Sequence, residues 1–321
     1  MPIRFESPSL GGRSDSYLEA THWQADVSYR RLRANDFFVG RDQHDELGPF
    51  GEQLDFRIHS LSFSATYAVT DRYALSLNVP WSTGSVSRLF ADGKNHSQST
   101  SGLGDTRLVG TMWIWDPMYI PRGNIALGLG LKAPTGSHTA TDYNWVATGD
   151  SAKTILDQSV QLGDGGWGII LKADGFRRLD ERSFVYAAGE YLATTKEHTT
   201  VVSPRRTDQM VAVPDLYSAR VGASRVVSPK HGLALSLGMR QDATTRGDLF
   251  GGRDMSFRRP AMVGYIDPGL SRTVRTNTFY VNTPIRAYQN FRQDYSYATG
   301  ERVLGGDLAR YLVFTGFTRR W

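Results

Sequence analysis

The sequence predicts an all-β protein, a transmembrane antiparallel up-and-down β-barrel of about twelve strands with short periplasmic turns and long extracellular loops. Three observations predict this fold class. Short segments of alternating apolar and polar residues recur along the whole chain, and the connections between them alternate strictly between short and long. No window of about 18 uninterrupted apolar residues occurs, which excludes a transmembrane helix.

The alternation is clearest in residues 123–135, which the rest of the prediction follows. Side chains on an extended strand point to opposite faces in turn. One face of this stretch carries Ile125, Leu127, Leu129, Leu131 and Ala133, and the other carries Asn124, Ala126, Gly128, Gly130 and Lys132. A half-buried strand of a soluble protein could also alternate, but its polar face would seldom be so rich in glycine. An apolar outer face and a small or polar inner face are typical of a membrane barrel.

Composition limits the class of protein. The chain has 321 residues, a length that one long β-barrel domain can fill. Hydrophobic residues make up 40%, and the mean hydropathy of -0.37 disfavours a helical membrane protein. Cysteine is absent, as suits a protein that crosses an oxidising periplasm. The net charge of +5 comes without long basic runs, so nucleic acid is not expected as a partner.

Twelve strands follow from the alternation. They are predicted at residues 21–32, 54–69, 73–81, 105–115, 123–135, 167–174, 183–194, 217–223, 233–240, 261–265, 279–285 and 311–321. A change of phase near Ser60 predicts a β-bulge in the second strand. Residues 82–103, rich in serine and glycine, are predicted to form a long loop.

Two domain assignments follow. The barrel is predicted to span residues 21–321. Residues 1–20 are expected to form a periplasmic segment without a visible signal peptide, since the first fifteen residues lack an apolar core. This expectation supposes that the numbering begins at a mature, truncated or wrongly assigned start.

Aromatic residues near the strand ends predict the membrane interfaces, where amphipathic rings favour the headgroup level. They are Trp23, Tyr73, Trp81, Trp115, Trp167 and Trp321. The last strand, with Tyr311, Val313 and Phe317 before the terminal Trp321, is similar to the C-terminal signal that the barrel-assembly machinery recognises. Arg319 departs from that pattern.

Several short motifs resemble one family of outer-membrane proteins. They are residues 65–72 (ATYAVTDR) leading into 75–80, residues 101–105 (SGLGD), residues 132–136 (KAPTG) and residues 267–271 (DPGLS). In this order they resemble the MetA-pathway of phenol degradation family, a set of proposed transporter barrels. The resemblance implies a porin-like barrel in a Gram-negative outer membrane that is tied to the degradation of aromatic compounds. It implies no catalytic residue.

The inner faces of the strands predict the residues that line a pore. They are Arg57, Asn78, Arg107, Gly128, Gly130, Lys132, Lys172, Glu190, Arg220, Arg240 and Arg286, with Arg30 and Asp174 on the same face. The excess of positive charge favours anions and aromatic carboxylates. Gly128 and Gly130 are expected to leave an open path below Lys132. In the alternative, these charges pair with one another and fill the barrel.

Two functions therefore stay open. The first is a channel for passive diffusion of small aromatic or anionic solutes across the outer membrane. The second is a plugged structural barrel whose loops dock a surface or envelope partner. A hydrolase is disfavoured, because His59 beside Ser60 and His138 beside Thr139 are the nearest approach to a catalytic pair. No metal and no cofactor is expected.

Outer-membrane lipid and lipopolysaccharide are the expected surroundings. Arg88, Lys94, Arg205 and Arg206 in the predicted loops could hydrogen-bond lipopolysaccharide phosphates.

Overall fold

The computed structural model describes residues 17–44, 54–202, 210–250, 258–291 and 306–321. Its strands are numbered in chain order, and twelve wall strands form one sheet, two of them built from two consecutive strands each. The wall strands are β1 (Trp23–Val39), β3 (Asp55–Ala68), β4 (Tyr73–Leu89), β5 with β6 (Asn95–Leu103 and Thr106–Trp113), β7 (Gly123–Ala133), β10 (Gly168–Arg178), β11 (Ser183–Thr194), β14 (Leu216–Ser228), β15 (Leu233–Thr244), β16 (Ala261–Val274), β17 with β18 (Asn277–Asn282 and Ile285–Phe291) and β19 (Gly306–Arg320).

The remaining strands are short and lie in the connections. They are β2 (Asp42–Gln43), β8 (Thr141–Trp145), β9 (Ser151–Ile155), β12 (His198–Val202) and β13 (Met210–Ala212). Strands β8 and β9 form one small hairpin, and β12 pairs with β13. Among the described residues, no helix is long and apolar enough to cross a membrane.

The sheet closes on itself because the first wall strand pairs with the last. Strand β1 pairs antiparallel with β19 from Gln24 opposite Arg320 to Phe38 opposite Gly306. Lipid offers no hydrogen-bond partner to an unpaired backbone group, so closure is what allows such a sheet to span a bilayer. The predicted fold class, an antiparallel barrel of about twelve strands, is confirmed.

The outer face of the wall is apolar. Leu129 is 65% exposed, Leu237 61% and Phe63 50%, and each lies on a different wall strand. Their inward neighbours are small or polar, as residues 123–135 predict. A closed barrel with an apolar outer wall is an integral outer-membrane protein, because only lipid stabilises so much outward apolar surface.

Short turns and both described chain ends share one end of the barrel. The backbone N–H of Trp321 donates to the carbonyl of Trp23 at 2.9 Å. Residues 69–72, 179–182 and 275–276 connect neighbouring strands at the same end. Pro229–His231 forms a single 3-10 turn there. In bacterial barrels this is the periplasmic end, and the long connections lie outside the cell.

Two local predictions are wrong. No bulge occurs near Ser60, because β3 pairs with β1 and β4 without a register shift. Phe56 and Ile58 point inward, whereas Leu61 and Phe63 point outward. The inward and outward faces of the strand do not exchange along its length. Only the polarity of the inner face changes, because the lumen becomes apolar towards the extracellular end.

Residues 82–103 form a hairpin instead of a loop. Strands β4 and β5 pair from Trp81 opposite Leu103 to Leu89 opposite Asn95. Hydroxyl groups pair across it, as between Ser87 and Ser97. Outside the bilayer a strand needs no apolar outer face, so the composition that predicted a loop is compatible with a strand.

Candidate functional site: the barrel lumen

An apolar cavity of about 260 Å³ lies in the extracellular half of the lumen. Leu32, Phe56, Val86, Val263 and Leu312 line it from five wall strands. These five side chains belong to one buried cluster, and each is 7% exposed or less. The interior of this barrel is therefore apolar at one level, although a lumen is usually polar.

A segment of the connection between β7 and β10 enters the barrel beside this cavity. We call residues 156–166 the inserted segment. Leu156 and Val160 are completely buried in the same cluster as the wall side chains. Gln161 is 1% exposed and hydrogen-bonds the backbone N–H and carbonyl of Ala140 and the carbonyl of Leu156. The inserted segment thereby narrows the lumen.

A buried ion pair fixes the inserted segment to the wall. Lys132 Nζ lies 2.5 Å and 2.6 Å from the carboxylate oxygens of Asp164 and 3.1 Å from Asp105 Oδ2. Lys132 and Asp164 are 1% and 0% exposed. Asp105 also accepts a hydrogen bond from the backbone N–H of Gly136 at 3.0 Å. A buried ammonium between two carboxylates is a strong attachment only while all three groups remain.

Two glycines allow the inserted segment to approach the wall closely beside this ion pair. A Cβ on Gly163 would lie 2.6 Å from the carbonyl oxygen of Gly136, and a Cβ on Gly136 would lie 2.6 Å from that of Leu162. Any larger residue would therefore push the segment away from the wall. From the sequence, the glycines of residues 163–168 indicate only a transition from loop to strand.

A second contact holds the other end of the segment. Arg259 Nη2 lies 3.3 Å from Asp157 Oδ2. Although burial raises the pKa of this carboxyl, the charge of Arg259 and hydrogen bonds from Ser159 outweigh burial and lower the pKa of Asp157 to about 2. The carboxylate therefore remains ionised over the whole physiological pH range.

The hairpin of β12 and β13 covers the cavity on the extracellular side. Val201, Val202, Val211 and Ala212 contribute to the cavity lining. The hydroxyl of Thr200 donates to the carbonyl of His138 at 3.3 Å, which joins the hairpin to the connection that precedes the inserted segment. Wall, inserted segment and hairpin together surround the cavity.

Among the residues that line the cavity, Arg240 and Gln158 each have a buried polar atom without a hydrogen-bond partner among the described residues. Arg240 is 2% exposed, and its Nε donates to Asp242 at 3.0 Å, but its Nη2 is unpaired. Gln158 donates from Nε2 to the carbonyl of Gly163 at 3.3 Å, and its Oε1 is unpaired. A buried unpaired donor or acceptor is costly, so a ligand that satisfies both atoms is stabilised here.

Ion pairs occupy the polar levels of the lumen. Besides Lys132, five predicted basic residues that face the interior have acidic partners within 3.0 Å. The pairs are Arg107 with Glu190 at 2.7 Å, Lys172 with Asp174 at 2.8 Å, Arg220 with Asp267 at 2.7 Å, Arg240 with Asp242 at 3.0 Å and Arg286 with Asp36 at 2.6 Å. The predicted excess of positive charge is thus compensated locally. Asp36, Asp242 and Asp267 were not among the predicted lumen residues.

Ten of the eleven predicted pore-lining residues face the barrel interior. They are Asn78, Arg107, Gly128, Gly130, Lys132, Lys172, Glu190, Arg220, Arg240 and Arg286. Arg57 is the exception and requires a correction, because its side chain is 57% exposed on the outer wall and pairs with Asp55 at 2.6 Å. The predicted bulge at Ser60, which does not occur, places Arg57 on the wrong face.

The adjacent wall strands pack closely against the glycines of β7. A Cβ on Gly128 would lie 3.0 Å from Lys172 Cβ, and one on Gly130 would lie 2.6 Å from the carbonyl oxygen of Leu108. Residues of the two adjacent wall strands therefore approach both glycines closely, and an open path below Lys132 stays a prediction.

The aromatic residues predicted at the interfaces point outward. Trp23, Tyr73, Trp81, Trp115, Trp167 and Trp321 are between 45% and 56% exposed. At the periplasmic end, Tyr17 meets Trp113 and Phe176 edge-on at ring distances of 5.0 Å and 5.3 Å. Residue 17 therefore contacts the barrel mouth, and residues 1–16 lie outside the described part of the chain.

The basic residues that the sequence predicts in loops have other surroundings. Arg88 lines the cavity and lies 4.5 Å from the ring centre of Phe90, so it is not a loop residue. Lys94 is exposed in the turn between β4 and β5, while Arg205 and Arg206 lie outside the described residues.

His59 is on the outer wall, where its Nδ1 lies 2.6 Å from the hydroxyl of Tyr29. Within the described ranges, no cluster of His, Asp or Glu could hold a metal ion.

No family model matches the sequence, and no curated protein matches it. Solved barrels are similar in fold. A Pseudomonas aeruginosa FadL homologue has a TM-score of 0.46 at 9% identity, covering 94% of this chain and 90% of its own. The Ralstonia pickettii toluene transporter TbuX has a TM-score of 0.45 at 9% identity, with coverages of 95% and 90%. The β domain of the Bordetella autotransporter BrkA reaches 0.48 at 11% identity, with coverages of 93% and 99%.

Similarities at this level do not define a function. The class of protein follows from the chain itself. The continuous strand register and the apolar outer wall define an integral outer-membrane β-barrel.

Proposed function

We propose that this barrel is a channel for passive diffusion of small aromatic solutes across the outer membrane, with the lumenal cavity as their binding site. The observation that carries the proposal is the apolar cavity inside the barrel. An apolar cavity in a lumen favours solutes that leave water readily. Engineered protein cavities of about 150 Å³ bind benzene, so one of about 260 Å³ has room for a substituted ring.

The unpaired atoms of Arg240 and Gln158 favour solutes that carry one polar group. A phenolic hydroxyl could accept a hydrogen bond from Arg240 Nη2 and donate one to Gln158 Oε1. A carboxylate could accept from Arg240 alone. Simple inorganic anions are less favoured, because the lumenal cations are paired with Asp and Glu. The resemblance to the MetA-pathway of phenol degradation family agrees with aromatic solutes.

The inward polar residues, the outward aromatic residues and the C-terminal strand each have a role in the proposed channel. The inward-facing polar residues would form the path on the periplasmic side of the cavity, and the six outward aromatic residues would anchor the barrel at the two membrane interfaces. The C-terminal strand would carry the signal for barrel assembly.

Filling the cavity is expected to stop uptake. Val86 lines the cavity and is 3% exposed, so Val86→Trp would place an indole where the solute binds. We expect uptake of labelled phenol into proteoliposomes to fall about tenfold or more, since overpacked cavities have no room for a ligand. Leu129→Trp, which adds the same ring on the lipid side, is the matched control and should transport normally. Normal uptake by a folded Val86→Trp barrel would contradict the cavity route.

Replacing Arg240 by lysine is expected to change selectivity. Arg240→Lys keeps the positive charge beside Asp242 but removes the planar guanidinium that places Nη2 at the cavity. A hydrogen bond from a charged group contributes about 1.5–3 kcal/mol, so the ratio of phenol to toluene affinity should fall about tenfold or more. Equilibrium binding in detergent micelles measures both affinities. An unchanged ratio would exclude Arg240 as the polar contact.

A plugged docking barrel is the second candidate, and the inserted segment with its buried ion pair favours it. Planar bilayers separate the two functions. Discrete current steps from the wild-type protein would support the channel. A silent bilayer at high protein load, together with absent uptake of phenol, would reject it.

A further inference from the structure

The outer wall changes character abruptly near the seam where the barrel closes. Along β1, the outward positions run from Trp23 through Val27 and Tyr29 to Arg31 and Arg33. The first three are aromatic or apolar, and the last two are exposed cations. The change occurs in the middle of a continuous strand, so it marks a boundary in the surroundings of the barrel and not the end of the wall.

Both neighbouring strands change at the corresponding level. On β3, the outward Phe63 and Leu61 are followed towards the extracellular end by His59 and Arg57. On β19, Tyr311 is 49% exposed, and Arg310 comes next in the same direction.

The register brings these cations together. Arg31 pairs with His59, and Arg33 pairs with Arg57. Arg310 is adjacent to Ala309, which pairs with Ala34 next to Arg33. We call Arg31, Arg33, Arg57 and Arg310 the arginine patch.

The patch lies at a defined depth in the membrane. Tyr29 and Tyr311 are outward-facing aromatic residues directly below it, and such residues favour the interface between lipid chains and headgroups. Because the long connections define the extracellular end, this interface belongs to the outer leaflet. The guanidinium groups are therefore expected at the level of the outer-leaflet headgroups.

The patch carries a net positive charge. The side chains of Arg33, Arg57 and Arg310 are 52%, 57% and 69% exposed. Asp55 is the outward carboxylate that bonds both Arg33 and Arg57, at 2.9 Å and 2.6 Å. Arg310 lies 3.4 Å from Asp36, whose stronger contact is with Arg286 at 2.6 Å. Asp55 orients two of the guanidinium groups without neutralising all four.

We propose that the arginine patch binds the phosphorylated headgroup of outer-leaflet lipopolysaccharide. Guanidinium groups match phosphate oxygens in paired hydrogen bonds, and several close together suit a headgroup with more than one phosphate. The apolar wall directly below offers a surface for the acyl chains of the same molecule, with Leu61 and Phe63 exposed there. The arginine patch thus lies at the level of the lipid headgroup, and the apolar wall lies at the level of the acyl chains.

The test is binding of diphosphorylated lipid A to the purified barrel in detergent micelles, followed by native mass spectrometry. Arg31→Gln/Arg33→Gln/Arg57→Gln/Arg310→Gln is expected to lower the affinity about tenfold or more. Arg31→Gln/Arg310→Gln keeps the two arginines bonded to Asp55 and should cause a smaller loss. Arg225→Gln/Arg272→Gln/Arg319→Gln removes exposed outward charges at the periplasmic end and is the matched control.

Measurements with other ligands show whether lipopolysaccharide is the source of the phosphate groups that bind. Dephosphorylated lipid A should bind the wild type about as weakly as diphosphorylated lipid A binds the quadruple variant. If phosphatidylglycerol bound as tightly as lipid A, the patch would recognise any anionic lipid, and the proposal would be overturned. Competition by inorganic phosphate alone at millimolar concentration, or equal loss of affinity in the periplasmic control, would overturn it as well. The result does not depend on whether the barrel transports phenol.

Discussion

Replacing Lys132 by methionine is expected to open the channel. Lys132 Nζ is completely surrounded by protein and holds Asp164 of the inserted segment and Asp105 of the wall. Without the ammonium, two buried carboxylates lose their counter-charge, which costs about 3–5 kcal/mol. Withdrawal of the inserted segment into water relieves that cost more readily than unfolding of the hydrogen-bonded wall. We therefore expect Lys132→Met to increase single-channel conductance and phenol flux.

Two further variants make this experiment specific. Lys172→Met removes another lumenal ammonium, but Lys172 pairs with Asp174 on its own strand and its side chain is 28% exposed. It should change conductance little. Gly163→Val removes no charge and separates the segment from Gly136 and Asp105 by steric contact. It should reproduce the open state, even if Lys132→Met folds poorly. Wild-type conductance in a folded Gly163→Val barrel would show that the segment does not restrict the path.

Replacing Asp267 by asparagine is expected to destabilise the barrel strongly. Asp267 Oδ2 lies 2.7 Å from Arg220 Nε, and the two side chains are 1% and 2% exposed. Asn282 also donates to Asp267 Oδ1 at 3.3 Å. Asp267→Asn would leave a buried guanidinium without its counter-charge, and breaking such a pair costs about 3–5 kcal/mol. Denaturant unfolding of the folded barrel in micelles measures the loss.

The matched control is on the outer wall. Asp55→Asn breaks two ion pairs as well, but Arg33 and Arg57 are more than half exposed, so we expect a change of at most about 1 kcal/mol. Arg220→Met/Asp267→Leu removes both buried charges together and should recover most of the lost stability. A small effect of Asp267→Asn, equal to that of Asp55→Asn, would show that the lumenal pair does not stabilise the wall.

The wall of this barrel could be predicted from the sequence because each strand by itself carries the alternation of apolar and polar residues that contact with lipid requires. Leu127, Leu129 and Leu131 alternate with small or polar residues, and this pattern needs no knowledge of any other strand. Prediction failed where the surroundings changed along one strand. If Phe56 and Ile58 faced lipid, Arg57 would point inward, but both side chains are buried inside the barrel in the cluster that borders the apolar cavity.

The lumen could not be predicted in the same way. Which inward side chains meet depends on closure and on the stagger between distant strands. Asp36 and Arg286 are 250 residues apart in sequence and 2.6 Å apart in the barrel. The polar connection between β7 and β10 carries no periodic signal that indicates insertion, and only packing shows Leu156 and Val160 to be buried.

By itself the sequence determined that the chain is a membrane barrel, with its number of strands and its lipid-facing side, because contact with lipid imposes a local period of two. The tertiary structure alone decided that the lumenal charges are paired, that residues 156–166 occupy the interior and that an apolar cavity lies beside them. Those features arise from contacts between residues that only closure of the barrel brings together.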